Sequence, residues 1–75
     1  MDIKEFNSAY NPDARCFVVY KEKGTGYNAK GLLLDGIQES VSGTLFVFVD
    51  SFCKRVPLSD VIRVQDTGTP WMFHP

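Results

Sequence analysis

The chain has 75 residues, of which 44% are hydrophobic and 13% aromatic, and its formal net charge is −1. This length allows one domain with one core, and the hydrophobic content excludes intrinsic disorder, which needs low hydrophobicity and high net charge. No apolar run approaches the roughly 18 residues of a membrane-spanning helix, and the first residues lack the basic and apolar regions of a signal peptide. We therefore expect a soluble cytoplasmic protein that does not engage membranes.

The N-terminal segment, residues 1–13, predicts a short helix or an extended arm. Asp2-Ile3-Lys4-Glu5 has the form of a capping box, and Ile3, Phe6 and Tyr10 follow at helical spacing. A helix over residues 3–9 would end at Asn11-Pro12-Asp13, which favours a turn. Because so short a helix is marginal alone, it requires packing of its apolar side chains on a sheet.

Strand patterns occupy the middle of the chain. Residues 15–21 predict a first strand, and residues 22–26 a polar, glycine-rich loop. Residues 27–38 contain Gly31 and Gly36, which leave too little room for a helix and favour a strand bent at a glycine. Residues 39–43 predict the next turn.

Residues 44–57 predict a β-hairpin with Asp50 and Ser51 in its loop. That register pairs Val49 with Phe52, Val47 with Lys54 and Leu45 with Val56, and these six side chains share one face because side chains alternate along a strand. Of the six, we expect Leu45, Val47, Val49 and Val56 to point into the barrel. The opposite face would carry the remaining side chains, Phe46, Phe48, Cys53 and Arg55. Since both faces are largely apolar, the second must be covered by the chain's own ends, by a second copy or by a partner.

A one-turn 3₁₀ helix is expected at Leu58-Ser59-Asp60, followed by a short last strand over residues 61–64 and a linker from Gln65. The resulting five-strand order resembles the SH3-like small β-barrel of SH3, Tudor, chromo-barrel and KOW domains. The strand, the Val-Pro-Leu-Ser-Asp step and the closing strand between Phe52 and Val64 look like the end of a Tudor-type barrel. The resemblance covers residues 14–66, leaves 67–75 as an apolar tail, and implies a mainly β fold but no particular function.

No catalytic set is present, and we expect a non-enzymatic protein without cofactor or metal. His74 is the only histidine, and the acids Asp35, Glu39, Asp50, Asp60 and Asp66 fall in predicted turns and loops rather than in an inward-facing pair. Cys16 and Cys53 lie in predicted strands, where we expect buried free thiols rather than a disulfide. Together with His74 they match no usual zinc spacing.

The first functional hypothesis is a protein-interaction module that binds a partner protein or its own copy, as small accessory or regulatory proteins of phages and bacteria do. Its candidate contact residues are aromatic or apolar side chains with one arginine: Phe46, Phe48, Arg55, Trp71, Met72 and Phe73. Aromatic residues beside an arginine are typical of interface hot spots, and Arg55 could form a cation–π contact with Phe46. Alternatively, the N-terminal helix or the Trp71 tail of the same chain covers Phe46 and Phe48. For the tail itself, docking on its own barrel and docking on another chain are both open.

The alternative hypothesis is a nucleic-acid-binding barrel. Basic and aromatic side chains alternate around the glycine loop: Tyr20, Lys21, Lys23, Tyr27 and Lys30. Such a surface can hold a single-stranded backbone while bases stack on the rings. The net charge of −1 argues against binding driven by phosphate neutralisation, and a plain solvated loop explains the same residues.

Overall fold

The structure, a computed structural model, describes residues 1–70 and is mainly β, as expected. Its elements are, in chain order, helix α1 (Ile3–Ala9), β1 (Ala14–Lys21), β2 (Asn28–Leu33), β3 (Gln38–Glu39), β4 (Leu45–Val49), β5 (Ser51–Pro57), a 3₁₀ turn (Leu58–Asp60) and β6 (Val61–Pro70). The predicted N-terminal helix and 3₁₀ turn are confirmed at the predicted residues.

All strand pairs of the sheet are antiparallel. β1 lies between β2 and β6, whereas β4 pairs with β3 and β5. One pair, Leu33 with Val49, joins these two parts. β5 and β6 do not pair with each other in the described part of the chain, so the sheet stays open rather than closing into a barrel.

The bent second strand of the five-strand prediction is divided here into β2 and β3. Residues 34–37 separate the two, and Asp35 accepts a 2.7 Å hydrogen bond from the Gly36 N–H within this bend. Gly31 has a different role, because it lies where β2 approaches the β4–β5 turn. A Cβ at Gly31 would collide with the Val49 side chain and would lie 2.9 Å from Asp50 Oδ2, so this close approach requires glycine.

The predicted register of the hairpin is wrong. Val47 pairs with Val56 and Phe48 with Arg55, whereas Val49 pairs with Ser51, so residues 52–54 form an irregular bulge on the β5 side. The cause is a tight turn at Asp50, whose φ of 66° is left-handed. The turn is attached to β2 by two hydrogen bonds, from the Asp50 N–H to the Leu32 carbonyl (2.8 Å) and from the Leu32 N–H to Asp50 Oδ1 (2.9 Å).

Part of the predicted inner face is nevertheless confirmed. Val47, Val49 and Val56 are buried, and the half-buried Leu45 packs against them. Phe52 and Lys54, predicted to share a face with these side chains, are exposed because the bulge carries them off the paired part of the strand.

The core cluster consists of the buried side chains that contact one another: Phe6, Cys16, Val18, Tyr20, Leu33, Val47, Val49, Val56, Leu58, Val61 and Val64. α1 contributes Phe6, and its first turn is capped by Asp2, which accepts a 2.7 Å hydrogen bond from the Glu5 N–H. Of the three apolar positions predicted to pack, Phe6 is fully buried and Tyr10 half-buried. Ile3 is 50% exposed and does not pack as expected.

The linker predicted after residue 64 is instead the second half of β6. Asp66 pairs with Cys16, and the Thr67 hydroxyl donates a 2.7 Å hydrogen bond to the Arg15 carbonyl. Residues 67–70, assigned above to the tail, therefore continue the sheet alongside β1. Trp71, Met72 and Phe73 lie outside the described residues.

Candidate interaction surface

Three phenylalanine rings form a continuous row on the face of β4 and β5 that points away from the core cluster. Phe48 contacts Phe46 and Phe52 through edge-on arrangements, with ring centroids 5.3 Å apart in both pairs. Exposure increases along this row, which we call the aromatic ladder: Phe46 is 8% exposed, Phe48 is half-buried and Phe52 is 64% exposed. The ladder thus has a buried base and an open end.

Arg55 lies beside the buried end of the aromatic ladder. Its guanidinium carbon is 4.8 Å from the Phe46 ring centroid and 6.0 Å from that of Phe48. The expected cation–π contact with Phe46 is present, although the strand partner of Arg55 is Phe48. Arg55 itself is exposed, so its donors remain available on the outer side.

Helix α1 does not account for the burial of Phe46 and Phe48 on the face of β4 and β5 that carries the aromatic ladder. Phe6, the buried side chain of α1, belongs to the core cluster, and none of the three ladder residues does. The other cover suggested by the sequence, the Trp71-Met72-Phe73 segment, lies outside the described residues.

A groove of about 440 Å³ adjoins the base of the aromatic ladder. Tyr20, Phe46, Val56 and Pro57 supply its apolar and aromatic lining. Its charged lining residues are four cations and two carboxylates: Lys21, Lys23, Lys54, Arg55, Glu22 and Asp60. We call this concavity the basic groove. Its lining comes from the end of β1 and the loop after it, from β4 and β5, and from the β3–β4 and 3₁₀ turns. It therefore unites residues more than 30 positions apart in the chain.

Lys54 closes over the aromatic lining of the basic groove. Its Nζ lies 5.2 Å from the Tyr20 ring centroid, and a side-chain hydrogen bond to Tyr20 raises the pKa of Lys54. The sequence did not indicate Lys54 as a site residue, because the predicted register paired it with Val47 on the same face as the core side chains.

Three of the five residues proposed for nucleic-acid binding line the basic groove. These are Tyr20, Lys21 and Lys23, whereas Tyr27 and Lys30 do not line it. Tyr27 is 77% exposed, and the Lys30 ammonium lies 5.1 Å from the Phe17 ring centroid instead.

The glycine loop itself is a turn, as the sequence indicated. Gly24 and Gly26 both have positive φ, and the loop is closed by a 3.0 Å hydrogen bond from the Glu22 N–H to the Tyr27 carbonyl. A left-handed backbone at two glycines accounts for this composition without any phosphate-binding role.

The two cysteines are free, but they differ in exposure. Cys16 is buried, as expected, whereas Cys53 is exposed in the bulge of β5, contrary to the expectation of two buried thiols. Within residues 1–70, no cluster of three or more His, Cys, Asp or Glu side chains could hold a metal ion. In the same part of the chain, no helix has the length and apolar character needed to span a bilayer.

Comparisons with protein-family models, with curated proteins and with solved structures found no match to this chain. The functional argument therefore rests on the aromatic ladder and the basic groove.

Proposed function

We propose that this protein is a small, non-enzymatic interaction module that binds a partner protein through the aromatic ladder and Arg55. The observation that carries the proposal is the open end of the ladder, where Phe52 is 64% exposed beside the half-buried Phe48. Large aromatic side chains next to an arginine have the composition of interface hot spots. Contiguous apolar surface of this kind in water is typical of a contact site.

The proposal includes an SH3-like arrangement of the strands. It is supported by the order β5-β4-β2-β1-β6 across the sheet and by the 3₁₀ turn between β5 and β6. In this interpretation β2 and β3 are the two halves of one bent strand, since both pair with β4.

The cellular setting is part of the same proposal: a cytoplasmic accessory or regulatory protein of the kind found in phages and bacteria, by analogy. Two free cysteines, one of them exposed, fit a reducing compartment.

The test removes the accessible rings and leaves the buried Phe46 in place. Phe48→Thr/Phe52→Thr should fold, because threonine keeps strand propensity, and should lose partner capture because the anchors are gone. Tyr27→Thr/Val41→Thr is the matched control, since it removes two exposed hydrophobic side chains elsewhere. The measurements are affinity capture with quantitative mass spectrometry, light scattering and a thermal melt.

Equal capture by the folded ladder variant and by the control would refute the proposal. A dimer that is present in the original chain and absent from the ladder variant would identify a second copy, rather than a different protein, as the occupant.

The nucleic-acid alternative retains one observation, the presence of Lys21 and Lys23 with Lys54 and Arg55 in the basic groove. Phosphate-driven binding weakens steeply as salt rises. Absence of binding to a fluorescent single-stranded oligonucleotide at low salt would exclude it.

A further inference from the structure

We infer that the basic groove binds an acidic, extended segment of the partner protein. This inference rests on the proposed function and specifies which chemistry the partner must present. Phe46 belongs to both the groove and the aromatic ladder, and Arg55 lines the groove beside the ladder. One partner can therefore contact both surfaces, with apolar side chains on the ladder and carboxylates in the groove.

Charge complementarity is the first argument. Four of the eight basic side chains of the chain line the groove, but only two of its nine acidic ones do. Lys21, Lys23, Lys54 and Arg55 are all exposed, and none of them forms an ion pair with another residue of the described range 1–70. A local positive excess on a chain of net charge −1 attracts an anionic ligand and orients it.

The groove has features that favour a peptide over a nucleic acid. Base stacking needs open ring faces, but Tyr20 and Phe46 are buried, with Lys54 and Arg55 over their rings. Glu22 and Asp60 also line the groove, so its cations are interrupted by carboxylates and do not form the continuous basic track that follows a phosphate backbone. Carboxylates spaced along a peptide can pair with the cations individually, and Arg55 can bind one in a bidentate manner.

The edge of the sheet favours an extended ligand. Among the strands of residues 1–70, β5 pairs with β4 alone, and residues 54–57 of β5 line the groove. An edge strand offers backbone donors and acceptors to an extended peptide, which is a common mode of peptide recognition.

The experiment selects ligands from a displayed library of random 12-residue peptides, using the full chain as bait. Selected peptides should be enriched in Asp and Glu together with an aromatic or aliphatic residue. A selected peptide is then synthesised with a fluorophore and titrated by anisotropy. Lys21→Gln/Lys23→Gln should weaken its binding about tenfold. Lys4→Gln/Arg63→Gln, which removes two exposed cations outside the groove, should leave its affinity within about twofold.

Two results would overturn the inference: selected peptides without an acidic excess, or acidic peptides whose binding does not distinguish the two charge variants. If such peptides still lose binding to Phe48→Thr/Phe52→Thr, the proposed function stands while the groove inference fails. Acidic peptides that lose binding to Lys21→Gln/Lys23→Gln but bind Phe48→Thr/Phe52→Thr normally would support the groove inference and contradict the proposed role of the ladder. A fluorescent oligothymidine that binds at low salt and is lost with Lys21→Gln/Lys23→Gln would assign the groove to nucleic acid and overturn the inference.

Discussion

At the scale of single residues, Tyr10 shows how the fold changes the chemistry of a side chain. Its ring contacts the Phe6 ring, with centroids 5.4 Å apart, and a Cβ at Gly36 would lie 3.3 Å from Tyr10 Cε2. Tyr10 therefore packs between α1 and the bend that follows β2. Burial, and secondarily the negative charge of Asp35, raise the pKa of the Tyr10 hydroxyl above its ordinary value of 10.0.

We predict that this raised pKa makes the protein less stable at alkaline pH. Well below pH 10.0 the folded and unfolded chains both keep the Tyr10 proton, so the stabilisation is fully present. As the pH rises further, the unfolded chain releases that proton first, and the stabilisation is lost as the folded pKa is passed. Ultraviolet titration of the protein against a Tyr10→Phe variant measures the shift.

Asp35→Asn should lower the pKa of Tyr10 without returning it to the ordinary value, because burial is the larger cause. Asp13→Asn is the matched control and should have less effect, since Asp13 contributes least to the shift. A Tyr10 titration at or below pH 10.0 in the folded protein would contradict this account.

At the scale of an element, the β4–β5 turn depends on one residue with two functions. Asp50 adopts the left-handed conformation that a turn of this size requires, and its carboxylate accepts a hydrogen bond from Leu32 in β2. Few residue types combine these properties. Glycine adopts the left-handed conformation easily but has no side-chain acceptor, and alanine neither favours that conformation nor supplies an acceptor. Only asparagine closely reproduces both.

Stability should therefore fall in the order Asp50→Asn, Asp50→Gly, Asp50→Ala. The asparagine variant should be nearly neutral, and the glycine variant should lose about 1 kcal/mol with the hydrogen bond. The alanine variant should lose roughly another 1 kcal/mol from the strained φ. Urea denaturation of the three variants measures these differences in the free energy of unfolding. An alanine variant as stable as the original chain would mean that the turn geometry contributes nothing.

At the scale of the whole molecule, the two parts of the sheet share one core although their strands are joined only by the pair Leu33–Val49 and a few neighbouring hydrogen bonds in residues 1–70. Cys16 and Val18 from β1 are fully buried against the same cluster as Val47 and Val49 from β4. Because each part covers the apolar face of the other, neither can open without exposing the core. We therefore expect one cooperative unfolding transition.

Thiol labelling tests this expectation with the two cysteines as reporters. In a Cys53→Ser variant, the remaining buried Cys16 should react only as the whole molecule unfolds, so its labelling should follow the denaturation curve. In a Cys16→Ala variant, the exposed Cys53 should react at once under native conditions. Rapid labelling of Cys16 in the absence of denaturant would show that part of the sheet opens independently.

Features that depend on residues close together in the chain could be predicted from the sequence. The Asp2 cap, the spacing of Phe6 and Tyr10 and the Asn11-Pro12 break place α1 correctly, because capping and helical periodicity act within a few residues. The inward orientation of Val47 and Val49 was equally predictable, since alternation along a strand needs no partner.

Features that depend on hydrogen bonds between residues far apart in the chain could not be predicted from the sequence. The bonds between Asp50 and Leu32 tighten the turn, shift the register and move Phe52 and Lys54 to the surface. The bond between Thr67 and the Arg15 carbonyl attaches a polar segment to β1. The sequence already indicated the outward orientation of Phe46, Phe48 and Arg55. The basic groove and the place of Phe52 in the aromatic ladder depend on the folded sheet, because pairing partners more than a dozen residues apart are selected by packing and not by local pattern.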